Sequence, residues 1–163
     1  MVLMHHILVA DEVWLAMALL HREQPSRPDF STREILERAE RENLTGRLRP
    51  GIRAHVSRHC VANRPPSPDR YRMLYETGEG RRRLFRPGDR YDHRREGSKT
   101  LPDREAMPPS YRDLIDWYLT AYVPAVRASQ KDDPILALRG IGKHLSSGEH
   151  PDEHVRRLRE GWE

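Results

Sequence analysis

The chain has 163 residues, 36% of them hydrophobic and 33% charged, with a formal net charge of +4 at pH 7. Apolar content this modest predicts one compact domain followed by more extended polypeptide, not a single core spanning the whole length. No apolar run approaches the roughly 20 residues of a membrane-spanning helix, the start of the chain lacks the features of a secretion signal, and the single cysteine, Cys60, forms no internal disulfide, so a cytoplasmic protein with no membrane partner is expected.

The first expected element is a helix over Asp11–Glu23, capped by Asp11, with Val13, Trp14, Met17 and Leu20 at helical spacing. After the breaker "QPSRPD", Ser31 and Glu34 form a capping-box pattern that opens a second helix, with Ile35, Leu36 and Ala39 on its apolar face. The turn "TGRLRPG" leads into a third helix, "PGIRAHVSRHCVAN", where Pro50 suits the first turn. Two short strands, "RYRMLYE" and "RRRLFRP", flank the hairpin turn "TGEG". Residues 88–108 lack periodicity and read as a linker or loop. A fourth amphipathic helix is expected at about 109–123, with Leu114, Trp117, Tyr118, Ala121 and Tyr122 on one side, followed by two short apolar stripes near the end of the chain.

Charge is not spread evenly. Residues 46–95 carry 14 arginines and no lysine against 5 acidic residues, net +9, while residues 1–45 are net −3 and residues 96–163 net −2. The planar guanidinium fork suits phosphates and guanine edges, so this block is expected to contact nucleic acid. On a wheel of about 100° per residue, Ile52, Val56, His59 and Cys60 gather on one side of the third helix. The opposite arc carries Arg53, Ala54, Ser57, Arg58, Val61 and Arg64. Small residues there allow close approach to a groove, and Val61 is placed to meet a thymine methyl or to pack elsewhere.

The order helix, helix, basic helix, hairpin is that of a winged helix-turn-helix. The expected fold class is therefore α+β: a mainly helical domain over 1–95 with a two-stranded wing, a 96–131 linker holding the helix at 109–123, and an extended helical tail over 132–163. The expected DNA-contacting set is Arg49, Arg53, Ala54, Ser57, Arg58 and Arg64, with Arg81, Arg82 and Arg83 on the wing. The competing reading is a small α+β domain whose basic surface does something else.

Catalytic chemistry finds little support. His55, His59 and Cys60 lie close together, but no second cluster completes a tetrahedral metal site, and Cys60 falls on the core side, where a thiol is inert. No metal ligand, cofactor or catalytic residue is expected. The stretch "LALRGIGKHLSSGEH" resembles a phosphate loop only superficially: Ala137 stands where a Walker loop needs its first glycine, His144 replaces Ser or Thr, and Leu145 replaces the third glycine of a dinucleotide loop. Instead, Ile135, Leu138, Ile141 and Leu145, then Val155, Leu158 and Trp162, recur at spacings of three and four. Such short stripes gain by docking, either in a partner's groove or back on their own domain.

The residues Leu136, Leu138, Arg139, Gly140, Gly142, Lys143, Val155, Arg156, Arg157, Leu158, Arg159 and Trp162 carry a resemblance. Residues 133–162 look like the toxin-binding tail of VapB-type antitoxins: an apolar segment, R-G-x-G-K, a spacer, and an arginine-rich helix before a terminal Trp. Ser146 stands where many such tails carry an aromatic. The front of the chain is similar to winged-helix domains of small bacterial proteins. The resemblance implies a type II antitoxin whose tail (Ile135, Leu136, Leu138, Arg139, Gly140, Gly142, Lys143, Leu145, Val155, Leu158, Trp162) binds and inhibits a PIN-domain ribonuclease toxin. It also implies autorepression at operator DNA, as a homodimer or as a hetero-oligomer with the toxin. Arg139 or Lys143 would enter the carboxylate cluster that holds the toxin's Mg²⁺. A regulator without a toxin partner is the alternative.

Overall fold

The computed structural model describes residues 7–68 and 70–131; the expectations for His5, His6 and the 132–163 tail lie outside them. By its contacts the chain divides into two units, the first ending at Val123.

In the first unit the order is α1 (Val9–Glu23), β1 (Phe30–Ser31), α2 (Thr32–Glu42), α3 (Gly51–Ala54, extended by a π turn, His55–His59), β2 (Leu74–Gly78), β3 (Arg81–Leu84) and α4 (Asp113–Trp117, extended by a π turn, Tyr118–Tyr122). The strands form one antiparallel sheet in the order β1-β3-β2, so β3 is central. This α+β arrangement is compatible with a winged helix. The sheet has three strands, not the two expected, because the two-residue β1 pairs Phe30 with Arg82 and Ser31 with Arg81. Two residues are too few to show an alternating pattern.

Helix α1 is the centre of the core. Every residue from Ala10 to His21 is buried, and α2, α3, β3 and α4 all pack on it. Its run "VWLAMALL" is apolar all round, as a helix surrounded by protein must be. The helix begins at Val9, so Asp11 is not its cap. Asp11 and Glu12 are both buried, and each takes a distant cation: Lys99 lies 3.1 Å from Asp11, and Arg49 donates twice to Glu12 at 2.5 and 2.8 Å. Burial raises the Asp11 carboxyl above its usual range, against the opposing pull of Lys99. The Arg49 pair ties the entrance of α3 to α1.

The capping box of α2 forms as its sequence pattern predicts. Glu34 N–H donates to the Ser31 hydroxyl, and the Glu34 carboxylate accepts from Ser31 N–H at 2.8 Å. Arg27 donates to the same carboxylate and, as the largest influence, holds it down to about 2.

The far end of α3 is closed by Arg95, which has no exposed surface. Its five N–H donors reach five backbone carbonyls: Arg64 at 2.7 Å, His59 at 2.8 Å, Tyr71 at 2.7 Å, Arg58 at 2.9 Å and Pro65 at 3.5 Å. The last carbonyls of a helix lack intrahelical donors and favour a cation. Arg95 supplies both and gathers Arg64, Pro65 and Tyr71 onto the helix end.

Residues 96–123 are packed against this core, where the sequence suggested a linker. Met107 and Pro102 are buried, and Arg72 N–H donates to the Lys99 carbonyl at 2.9 Å. Leu114, Ile115 and Tyr118 are buried too, with Trp14 and Tyr118 edge to face at 5.9 Å. That apolar face of α4 is therefore covered by its own chain and is not open to a partner; Ala121, expected on it, is exposed. The second unit begins at Pro124, and its described part belongs to α5 (Val123–Lys131).

Two outcomes test this packing. Arg95→Met removes a donor from five backbone carbonyls, of which His59 and Arg58 keep a backbone N–H, and should lower unfolding stability by about 3 kcal/mol in urea titrations. His21 is buried between Phe30 and Tyr122, and its Nε2 accepts the Leu84 N–H at 3.4 Å. Burial, then the nearby Arg86 and Arg83, push it from 6.5 down to about 3. The unfolded chain therefore binds this proton below about pH 6.5 while the folded chain does not. Stability from His21 is fully present above that pH and falls by up to about 1.4 kcal/mol per pH unit on acidification towards about 3. Between pH 6.5 and 5, His21→Gln should show a flatter stability profile than the native chain.

Candidate nucleic-acid interface

Helix α3 buries Ile52, Val56 and Cys60, as its wheel predicts. Its outward side carries Arg53, Ala54 and Arg58, all exposed, with Ser57 half-buried beside them. Neither arginine has a carboxylate partner among the described residues. The π turn, shown by Cys60 N–H donating to His55 O at 3.0 Å, advances fewer degrees per residue than an α turn, so Arg58 falls nearer the line of Ala54 than an ideal wheel places it.

Val61 and Arg64 do not share this face. The helix stops at His59, and the following residues run beside β2: Val61 bridges to Leu74, and Ala62 N–H donates to Leu74 O at 2.8 Å. Val61 is fully buried, so contact with a base is ruled out. The side chain of Asn63 pairs with the backbone of Glu76 in both directions, at 2.9 and 3.0 Å, extending the ladder by one side-chain rung.

The wing arginines are occupied within the fold. Arg82 was expected on the outer surface, but it shares its side of β3 with Leu84 and is 2% exposed. It donates to Glu76 at 3.1 Å and to the Ser57 carbonyl at 3.4 Å, fastening the central strand to the π turn of α3. Arg64 takes the same Glu76 carboxylate with two bonds, at 2.5 and 2.7 Å, and holds it below its usual range. Arg83 is bidentate to Asp89 at 2.6 and 2.7 Å and stacks 4.3 Å over the Tyr75 ring. Arg81 donates to Asp29 at 2.6 Å, and Thr77 donates to the other oxygen of that carboxylate at 2.7 Å. Gly78 and Glu79 are exposed at the tip of the hairpin, so the charge presented there is acidic.

The expected set thus divides. Arg53, Ala54, Ser57 and Arg58 stand together on α3. Arg49, Arg64, Arg81, Arg82 and Arg83 are held by carboxylates. Period-two alternation through "RRRL" carried the signal that Arg82 faces inward with Leu84, whereas nothing local in the sequence reveals the distant partners Glu12 and Asp29. His55 Nδ1 lies 2.9 Å from Gly51 O, and its ring meets His59 edge to face at 4.9 Å. Among the described residues no group of three or more His, Cys, Asp or Glu is placed to hold a metal ion.

Substitutions separate the two classes of arginine. On a DNA-contacting α3, Arg53→Ala and Arg58→Ala would each weaken duplex binding by about 1–3 kcal/mol in a gel shift; in either case they should change the melting temperature little. Arg82→Ala, which leaves Glu76 with one partner and opens a buried site, should lower the melting temperature instead. No family model matches this chain, and no curated protein or solved structure is significantly similar to it.

Proposed function

We propose that this protein is a non-enzymatic antitoxin that binds operator DNA through its N-terminal unit and restrains a PIN-domain ribonuclease toxin through residues 132–163. The observation that carries the DNA half is the outer face of α3: two exposed arginines without carboxylate partners among the described residues, with an alanine between them, on a helix anchored at both ends by buried charge. A helix presented in this way fits the major groove, where arginine forks reach guanine edges and small side chains permit close approach.

The toxin half is supported by the order of residues in the tail. Apolar anchors at Ile135, Leu136, Leu138, Leu145, Val155, Leu158 and Trp162 suit a groove on a partner. Gly140 and Gly142 let the backbone lie close to that surface. Arg139 or Lys143 would then meet the toxin's metal-binding carboxylates, where a charge-assisted pair competes with Mg²⁺. Toxin binding would bring two DNA-binding units together and raise operator affinity through effective concentration.

A second reading, a DNA-binding regulator with no toxin, is favoured by one observation: α3 and both of its anchors lie inside the first unit, so the DNA face needs nothing from the tail. Co-expression of the chain with the product of the adjacent reading frame separates the two. Under the antitoxin reading a PIN-domain protein co-purifies with the full chain and is lost, by 100-fold or more, from a chain ending at Lys131, while DNA binding persists. Capture that survives the truncation removes the tail assignment, and no capture by the full chain leaves the regulator.

A further inference from the structure

The 14 arginines of residues 46–95 sort by what their guanidinium groups touch. Arg49, Arg64, Arg81, Arg82, Arg83 and Arg94 are bound to carboxylates. Arg72 lies over Tyr91, Arg86 donates to the Tyr122 hydroxyl, and Arg95 serves the carbonyls at the end of α3. Five remain. Arg47, Arg53, Arg58, Arg70 and Arg90 are exposed and have no acceptor among the described residues.

These five follow α3. Arg47 lies in the turn that enters it, and Arg53 and Arg58 lie on its outer face. Arg70 precedes Tyr71, whose N–H donates to His59 O at the helix end at 3.2 Å. Arg90 comes two residues before Asp92, whose N–H donates to Ala62 O just beyond that end at 2.9 Å. The hairpin tip offers Glu79 in place of a cation.

We propose that the partner is a DNA duplex held by α3 and by phosphate contacts at its two ends, from Arg47 on one side and Arg70 and Arg90 on the other, with the wing kept off the DNA. The proposal rests on the DNA-binding reading above and specifies its footprint. Scale supports it. A helix is about 10–12 Å across with its side chains, so the roughly 12 Å major groove admits α3 with its outer face towards the bases. Long, exposed side chains at residues that flank the two ends of the helix can reach towards the phosphate ridges that border the groove. The wing's cations are already neutralised by Asp29, Glu76 and Asp89, and Glu79 repels phosphate. A duplex of RNA presents a major groove too deep and narrow for a helix, so DNA is the partner this surface suits.

Fluorescence anisotropy with the full chain and a labelled 20-base-pair DNA duplex, titrated with salt, tests the footprint. Arg47→Ala, Arg70→Ala and Arg90→Ala should each make the slope of log affinity against log salt shallower by about 1, with unchanged melting temperature. Glu79→Lys should leave affinity within about twofold, because a wing away from the backbone gains nothing from a new cation. Unchanged slopes in the three alanine variants, with Arg53→Ala and Arg58→Ala still weakening binding, would overturn the footprint but keep the DNA reading. A gain of about tenfold or more from Glu79→Lys would put the wing on the DNA and equally overturn it. Absence of any duplex binding by the native chain at low salt, or equal binding to an RNA duplex of the same sequence, would remove the DNA reading itself.

Discussion

A single buried guanidinium organises the end of α3, the helix on which the proposed DNA contact rests. Arg95 satisfies five carbonyls drawn from the end of α3 and the loop that leaves it. It closes the helix end and does so, among the described residues, without a carboxylate in bonding contact. The chain beyond the helix can then turn sharply, lay Val61 and Ala62 along β2, and deliver the hairpin beside α3. At the other end Arg49 is bound to the buried Glu12. With charge fixing both ends of α3, its outer side is left to solvent.

The basic block therefore has two populations with different physical roles. One is internal or half-buried and neutralised: Glu76 joins Arg64 to Arg82, Asp89 holds Arg83, and Asp29 holds Arg81. These pairs tie the strands to the segments beside them, and removing a partner from the buried Arg82 contact costs far more than an exposed ion pair contributes. Another, Arg47, Arg53, Arg58, Arg70 and Arg90, is exposed with no acceptor among the described residues. A net count over residues 46–95 does not separate the two.

Central burial of α1 explains why the first unit reaches Val123. A helix that is apolar on all sides must be enclosed, and α2, α3 and the sheet leave one side to cover. Leu114, Ile115 and Tyr118 of α4 supply that cover, with the Tyr118 hydroxyl bonded to the Phe85 carbonyl. Residues 96–108 carry the chain to that position, and Lys99 pairs with Asp11 on the way. The proposed division of labour follows naturally: a self-contained DNA-binding unit, then a tail whose anchors and glycines suit another protein.

Local pattern in the sequence was enough for the four helices of the first unit, the end of the third excepted, and for the capping box of Ser31 and Glu34, the hairpin turn and the buried line Ile52, Val56 and Cys60, since each depends on residues within one or two turns of one another. The same locality placed Arg53, Ala54, Ser57 and Arg58 together on one helical face. What tertiary structure decided was the partner of each charge. Glu12 and Arg49 are 37 positions apart, Asp29 and Arg81 are 52 apart, and Lys99 and Asp11 are 88 apart, separations over which no periodicity carries information. The two-residue β1, the enclosure of α1 and the inward turn of Val61 also arise only when the elements meet. Composition established that this chain is rich in arginine; burial and long-range pairing determined which arginines still have a charge to give.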